Sequence, residues 1–116
     1  MVIGIIGGGA SGMMAAIAAA RNGSEEIHIF ERQVRLGKKL SATGNGRCNL
    51  TNCNSAPYGG EEPAFAQCAL SKYNPEETLR IFSELGLYTV TGESGRVYPY
   101  SDQANSVVDV LPKQRK

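Results

Sequence analysis

The stretch Val2-Ile3-Gly4-Ile5-Ile6-Gly7-Gly8-Gly9-Ala10-Ser11-Gly12-Met13, followed downstream by Ile27-His28-Ile29-Phe30-Glu31, decides how this chain is read. A short apolar run, Val2–Ile6, has the length of a strand and ends in a Gly7-x-Gly9-x-x-Gly12 turn that opens into an apolar helix. Each glycine has a task. Gly7 allows the turn, Gly9 lets backbone approach a phosphate, and Gly12 lets the helix pack close to the strand. Ala16, one turn later, keeps that packing face small. The helix N-terminus offers unpaired N–H groups and the positive end of its dipole to a pyrophosphate. The second strand, Ile27–Phe30, ends in Glu31, about 20 residues beyond the turn, where a carboxylate can accept hydrogen bonds from the ribose hydroxyls of an adenosine. Residues 1–31 therefore predict a right-handed βαβ unit built to hold a dinucleotide. The helix, from about Ala10 to Arg21, is almost wholly apolar or small and is expected to be buried against a sheet. Asn22-Gly23 is a helix stop.

Val2–Ala20 carries no charged residue, which raises the alternative of a membrane span or a signal peptide. No basic segment precedes the run, and glycine fills five positions from Gly4 to Gly12. Gly and Ala contribute little to membrane insertion, and a span would not predict Glu31. The remaining bulk properties point the same way. With 116 residues, 41% hydrophobic and 20% charged, the chain reads as one soluble domain at most. A net charge of +1 leaves no electrostatic footprint for nucleic acid. The odd set Cys48, Cys53 and Cys68, with no secretory signal, reads as reduced thiols in the cytoplasm. Cys48-x4-Cys53 has the wrong spacing for a zinc knuckle, so no metal site is expected.

Arg32–Asn54 shows neither helix nor strand periodicity and is read as one long loop. It is punctuated by Gly37, Gly44 and Gly46, with Lys38 and Lys39 at one end and Arg47 near the other. Residue chemistry alone leaves two readings. Backbone N–H groups at the glycines and the lysine charges could grip an anionic or planar ligand, or the segment is a solvated loop.

Beyond it, Ser55–Pro63 is turn-rich and Ala64–Tyr73 predicts a short helix. Asn74 caps a further helix, with Pro75 at N1 and Glu77 at N3. Its Leu79, Phe82 and Leu85 share a face, and Gly86 stops it. Leu87–Thr91 and Arg96–Tyr100 predict a hairpin around Gly92-Glu93-Ser94-Gly95. Ser101-Asp102 is read as the start of a last helix, which Pro112 interrupts.

Three blocks carry a resemblance. They are the opening fingerprint, Gly37-Lys38-Lys39-Leu40 with Gly44-Asn45-Gly46-Arg47-Cys48-Asn49-Leu50-Thr51-Asn52, and Gly95-Arg96-Val97-Tyr98-Pro99-Tyr100-Ser101-Asp102 with Val107–Leu111. Together they resemble the N-terminal part of bacterial NAD(P)/FAD-dependent oxidoreductases of the YhiN or BaiN type. The resemblance implies an α/β fold: a Rossmann-like FAD-binding βαβ unit (1–31), a flavin-approaching loop (32–54) and the start of a helical and hairpin region (55–116), with an incomplete sheet.

It implies FAD as cofactor, with NAD(P)H as a further partner. Gly7, Gly9, Ser11 and Gly12 would surround the pyrophosphate and Glu31 would hold the adenosine ribose, with Ala10 and Arg32 as further cofactor-binding candidates. Lys38 and Lys39 would lie near the adenosine or phosphate end. Thr43, Gly44, Asn45, Gly46, Arg47, Cys48 and Asn49 would approach the flavin. The family block usually reads Ser-Gly-Gly-Gly-Arg-Cys-Asn. Thr43 keeps a hydroxyl, and Asn45 suits a left-handed position once held by glycine.

Family members are several times longer, so the chain is expected to be a truncated N-terminal part without its substrate domain. No catalytic acid or base is nominated, since His28 sits inside the second strand. An FAD-dependent oxidoreductase present in part, inactive alone, is thus the leading reading. A non-catalytic dinucleotide-binding module working with a partner chain and an NAD-dependent dehydrogenase are the others. An incomplete sheet would also leave edges open to self-association.

Overall fold

The structure, a computed structural model, describes residues 1–54 and 59–111. Residues 55–58 of the turn-rich stretch, and the break expected at Pro112, lie outside the described residues. Strand β1 (Val2–Ile6), helix α1 (Ala10–Arg21) and strand β2 (Glu26–Phe30) form the expected βαβ unit. The strands are parallel, with Val2 opposite Glu26 and Ile6 opposite Phe30. Helix α1 ends as Asn22-Gly23 predicts. Gly23 is left-handed (φ 87°), its N–H donates to the Ala20 carbonyl, and the Ser24 N–H reaches the Ala19 carbonyl.

The expectation of a fully buried α1 is only half met. Met13 and Ala16 are buried, while Ala15, Ala18 and Ala20 face outward. The reason lies in the sheet, which has two strands among the described residues. One side of it, with Ile3, Ile5, Ile27 and Ile29, is partly covered, and α1 packs on both strands. The other side leaves Ile6 91% and Phe30 61% exposed. A parallel sheet of this kind is ordinarily covered on both faces.

The segment Arg32–Asn54 is more ordered than its lack of periodicity suggests. It holds a 3-10 turn (Leu40–Ala42), a single turn α2 (Thr43–Gly46) and a short strand β3 (Thr51–Asn52). Two residues are too few to show a period of two, and β3 exists because a distant partner supplies its bonds. It pairs antiparallel with β5 (Arg96–Pro99), which pairs on its other side with β4 (Thr89–Thr91).

Helices α3 (Pro63–Lys72) and α4 (Pro75–Glu84) stand between β3 and β4 in sequence. The Asn74 side chain accepts the Glu77 N–H at 2.8 Å, as the cap predicted. Gly86 (φ 93°) closes α4, with the Leu87 N–H on the Phe82 carbonyl. Ile81 is the buried residue of α4, while Leu79, Phe82 and Leu85 are half-buried. The hairpin turns where predicted, but its regular strands are shorter than Leu87–Thr91 and Arg96–Tyr100. The last helix, α5 (Ala104–Val110), begins after Gln103 rather than at Ser101-Asp102, because Asp102 is left-handed (φ 60°).

One apolar core joins these parts: Met13 of α1, Cys48 of the middle segment, Leu87 before β4, and Ala104, Val107 and Leu111 of and after α5. Gly37 is part of the joint. Its N–H donates to the Gly8 carbonyl at 2.8 Å, and a Cβ there would stand 3.1 Å from both Met13 Cε and a Val108 methyl.

Candidate dinucleotide site

The glycine turn sits at the carboxyl ends of β1 and β2, where ligands enter sheets of this type. Gly7 is left-handed (φ 99°). A Cβ on Gly12 would lie 1.9 Å from the Gly7 carbonyl oxygen, so only glycine lets α1 come this near the turn. Gly9 differs from both. It has an extended backbone (φ −79°, ψ −171°), and a Cβ there would meet nothing within 4 Å. The space beside Gly9 is open in the place where the phosphate role requires it. Gly9 is the N-cap of α1 and brings no side-chain acceptor, and the first turn carries no acidic residue. Ala10 and Ser11, in that turn, are exposed.

Glu31 closes the other side. Its Oε2 accepts the Gly8 N–H at 2.7 Å and its Oε1 accepts the Gln33 N–H at 2.8 Å. These two backbone donors, Gln33 foremost, hold the carboxyl below the ordinary glutamate range against a small desolvation penalty. Each oxygen keeps acceptor capacity for a ribose hydroxyl. An open cavity of about 650 Å³ lies here, lined by Ile6, Gly7, Ile29, Phe30, Glu31 and Arg32. Gly8 was missed in the sequence reading. It is buried, and a Cβ would stand 2.2 Å from Leu36 Cδ2 and 3.2 Å from Glu31 Cβ. The signal was the middle glycine of Gly7-Gly8-Gly9, at a position the fingerprint leaves free.

The other predicted residues divide. Lys38 is exposed, with its Nζ donating to Gln33 Oε1 at 3.4 Å, so it stands on the Glu31 side. Lys39 is exposed and precedes the 3-10 turn. Thr43–Arg47 and Asn49 are exposed, and Cys48 is buried. Thr43 donates its hydroxyl to the Leu40 carbonyl at 2.6 Å. Gly44, Asn45, Gly46 and Cys48 all have left-handed backbone, Asn45 as the resemblance required. Burial pushes the Cys48 thiol up, so it is a packed group and not an activated nucleophile. Arg47 is bound to residues far along the chain. Its Nε donates to Asp102 Oδ1 at 2.6 Å, and its guanidinium lies 4.1 Å over the Tyr98 ring. The predicted residues thus form a turn-and-carboxylate group and a left-handed loop, joined through Gly37 and the Met13–Cys48 core.

Residues 1–116 match the HI0933-like protein Rossmann domain over the whole chain. The chain belongs to this family. The match agrees with the glycine turn, the parallel strand pair and the placement of Glu31, and it makes this a Rossmann dinucleotide-binding domain. Among curated relatives, the HI0933-like chain is 53% identical over 112 residues to the 3-dehydro-bile acid delta(4,6)-reductase of Clostridium scindens, covering 94% of itself and 27% of that protein. It is 29% identical to the ribosomal RNA dihydrouridine synthase of Haemophilus influenzae, over 95% of itself and 27% of the relative. To the enzyme of that name from Escherichia coli it is 28% identical, over 92% and 27%. The HI0933-like chain therefore spans about a quarter of the length of each of these relatives, 27%. Among the described residues, no helix is long and apolar enough to cross a membrane.

Proposed function

We propose that this chain is the FAD-binding part of a flavoprotein reductase. The observation that carries the proposal is the pairing of an uncapped α1 N-terminus and open space at Gly9 with a Glu31 carboxylate oriented by two backbone N–H groups. The first offers donors to a pyrophosphate, and the second offers acceptors to an adenosine ribose. In this reading Gly7, Gly9, Ala10, Ser11 and Gly12 surround the pyrophosphate. Glu31, Arg32 and Lys38 face the adenosine end, and Thr43–Asn49 approach the isoalloxazine. When bound, FAD supplies the hydride chemistry, and the chain's own residues bind it and orient it.

The relatives suggest a substrate class for the full-length protein. One is named a reductase of a Δ4,6 bile acid and the others make dihydrouridine. Common to both names is the addition of two hydrogens across a carbon–carbon double bond, and we extend that reaction to this family member. NAD(P)H is the reductant in this reading.

The test is the visible absorption spectrum of the purified chain after mixing with FAD and removing free ligand. Retained flavin bands with a shifted or quenched profile support the reading. A colourless folded chain that retains NADH instead would replace FAD with a nicotinamide cofactor. The exposed sheet face with Ile6 and Phe30 favours a second reading, a binding module that acts only with a partner chain. Retained FAD together with oxidation of NADPH by an artificial acceptor in the chain alone would reject it.

A further inference from the structure

The three non-glycine residues with left-handed backbone among the described residues fall in one corner: Asn45 (φ 56°), Cys48 (φ 56°) and Asp102 (φ 60°). Asparagine and aspartate tolerate this conformation, but Cys48 does so at a cost. Such backbone persists where surrounding contacts over-determine it. Here the contacts can be named. The Cys48 N–H donates to the Thr43 carbonyl at 3.0 Å, and its side chain is buried in the core. The Leu50 N–H donates to the Val97 carbonyl at 2.8 Å, which fixes the outgoing chain on β5. Arg47 directly precedes Cys48, and its partners come from 51 and 55 residues away in sequence: the Tyr98 ring and the Asp102 carboxylate. A Cβ on Gly44 would lie 3.6 Å from Tyr98 Cε1, so the same ring also lies beside the start of the turn.

We propose that Tyr98 and Asp102 are positioning residues that hold Arg47, and through it keep the Thr43–Cys48 turn in its left-handed form. Asp102, with its own left-handed backbone, stands two residues before α5 and accepts the Arg47 Nε–H on its carboxylate. The pair is about half-exposed, so it adds little to global stability. Its effect is local, selecting one conformation of a glycine-rich turn that has several within reach. That this turn is thereby presented to a flavin rests on the proposed function above. The clamp itself does not.

The test is amide hydrogen exchange of the whole chain without flavin, read residue by residue. Asp102→Gly removes the carboxylate and keeps the left-handed backbone unstrained. Tyr98→Leu removes the ring, and Tyr98→Phe keeps it. Asp102→Gly and Tyr98→Leu are each expected to speed exchange at Arg47 and Cys48 by roughly two- to fivefold, in line with an exposed ion pair or cation–π contact. Exchange at Gly7 and Met13 should stay unchanged, and Tyr98→Phe should match the native chain. Unchanged exchange at Arg47 and Cys48 would overturn the proposal. So would an equal rise at Met13, because only overall stability would then have moved. A parallel FAD titration separates the two claims. A native chain that binds no FAD defeats the flavin reading, while the exchange data still decide the clamp.

Discussion

The glycine turn and the left-handed loop are both glycine-rich, both exposed in part, and built in opposite ways. The turn is decided within a few residues. Gly7 supplies the left-handed step, Gly12 the close approach, and the α1 N-terminus follows directly. Its distant supports are few and lie close by in the next segment: Glu31, 23 residues from Gly8 at the end of the neighbouring strand, the Phe30 carbonyl on the Gly7 N–H, and the Gly37 N–H on the Gly8 carbonyl. The loop is decided at a distance. Its conformation depends on Arg47 reaching Asp102 across 55 residues of chain and on β3 pairing with β5. Local rules therefore describe the first region, and only the assembled fold describes the second.

The largest expected effect breaks the first region. Gly12→Ala places a methyl 1.9 Å from the Gly7 carbonyl oxygen, a backbone atom that cannot swing aside. Overpacking of this kind costs about 1–3 kcal/mol and more where backbone must move. A chemical denaturation midpoint should fall accordingly. Gly9→Ala is the contrasting case. Its extended backbone suits any residue and its surroundings are open, so stability should stay within about 0.5 kcal/mol of native. If the phosphates pass beside Gly9, FAD affinity should nonetheless fall about tenfold or more, a loss of about 1.4 kcal/mol. Equal affinity in Gly9→Ala and native protein would remove Gly9 from the binding site.

The next effect compares the two regions through cysteine. Cys48 is 2% exposed at the base of the loop, while Cys53 and Cys68 are exposed. Burial also raises the Cys48 thiol pKa, so less of it is thiolate at neutral pH. Alkylation with iodoacetamide near pH 8, followed by mass spectrometry, should label Cys53 and Cys68 first and Cys48 last. Asp102→Gly should speed the Cys48 reaction while leaving the other two rates alone. Rapid labelling of Cys48 in the native chain would show that the loop does not hold its observed form.

This contrast also explains how much could be read beforehand. The βαβ unit, the stop at Gly23, the Asn74 cap and the hairpin turn were legible because each depends on residues near one another in sequence. The strand Thr51–Asn52 was not, since nothing in two residues announces a partner at Arg96 and Val97. The exposed alanine side of α1 was misread for a related reason. An apolar helix predicts a covering layer, but the layer must come from elsewhere in the chain or from another body. In the site, Glu31 was legible by its spacing, while its bonds to Gly8 and Gln33 were not. Arg47 was singled out only through the resemblance, and its partners Tyr98 and Asp102 were visible only in the structure.

The smallest expected effect sharpens the account of Glu31 as a local support. Its folded carboxyl titrates below the ordinary glutamate value because the Gln33 and Gly8 N–H groups favour the charged form, with a lesser contribution from Arg32. A depressed folded pKa stabilises the fold above the unfolded pKa of about 4.3 and ceases to do so as pH falls through the folded value. Glu31→Gln removes that dependence and keeps the side-chain length. Without flavin, the native chain should melt slightly higher than Glu31→Gln near pH 7, and the two should converge as pH drops below about 4. Other carboxylates, such as Glu77 beside Arg80, titrate in both proteins and cancel in the difference. Parallel melting curves across this range would mean that the Gly8 and Gln33 contacts contribute nothing to the empty site. Glu31 would then act on a ribose alone, and the glycine turn would owe its shape to Gly7, Gly12 and the backbone bonds from Gly37 and to Phe30.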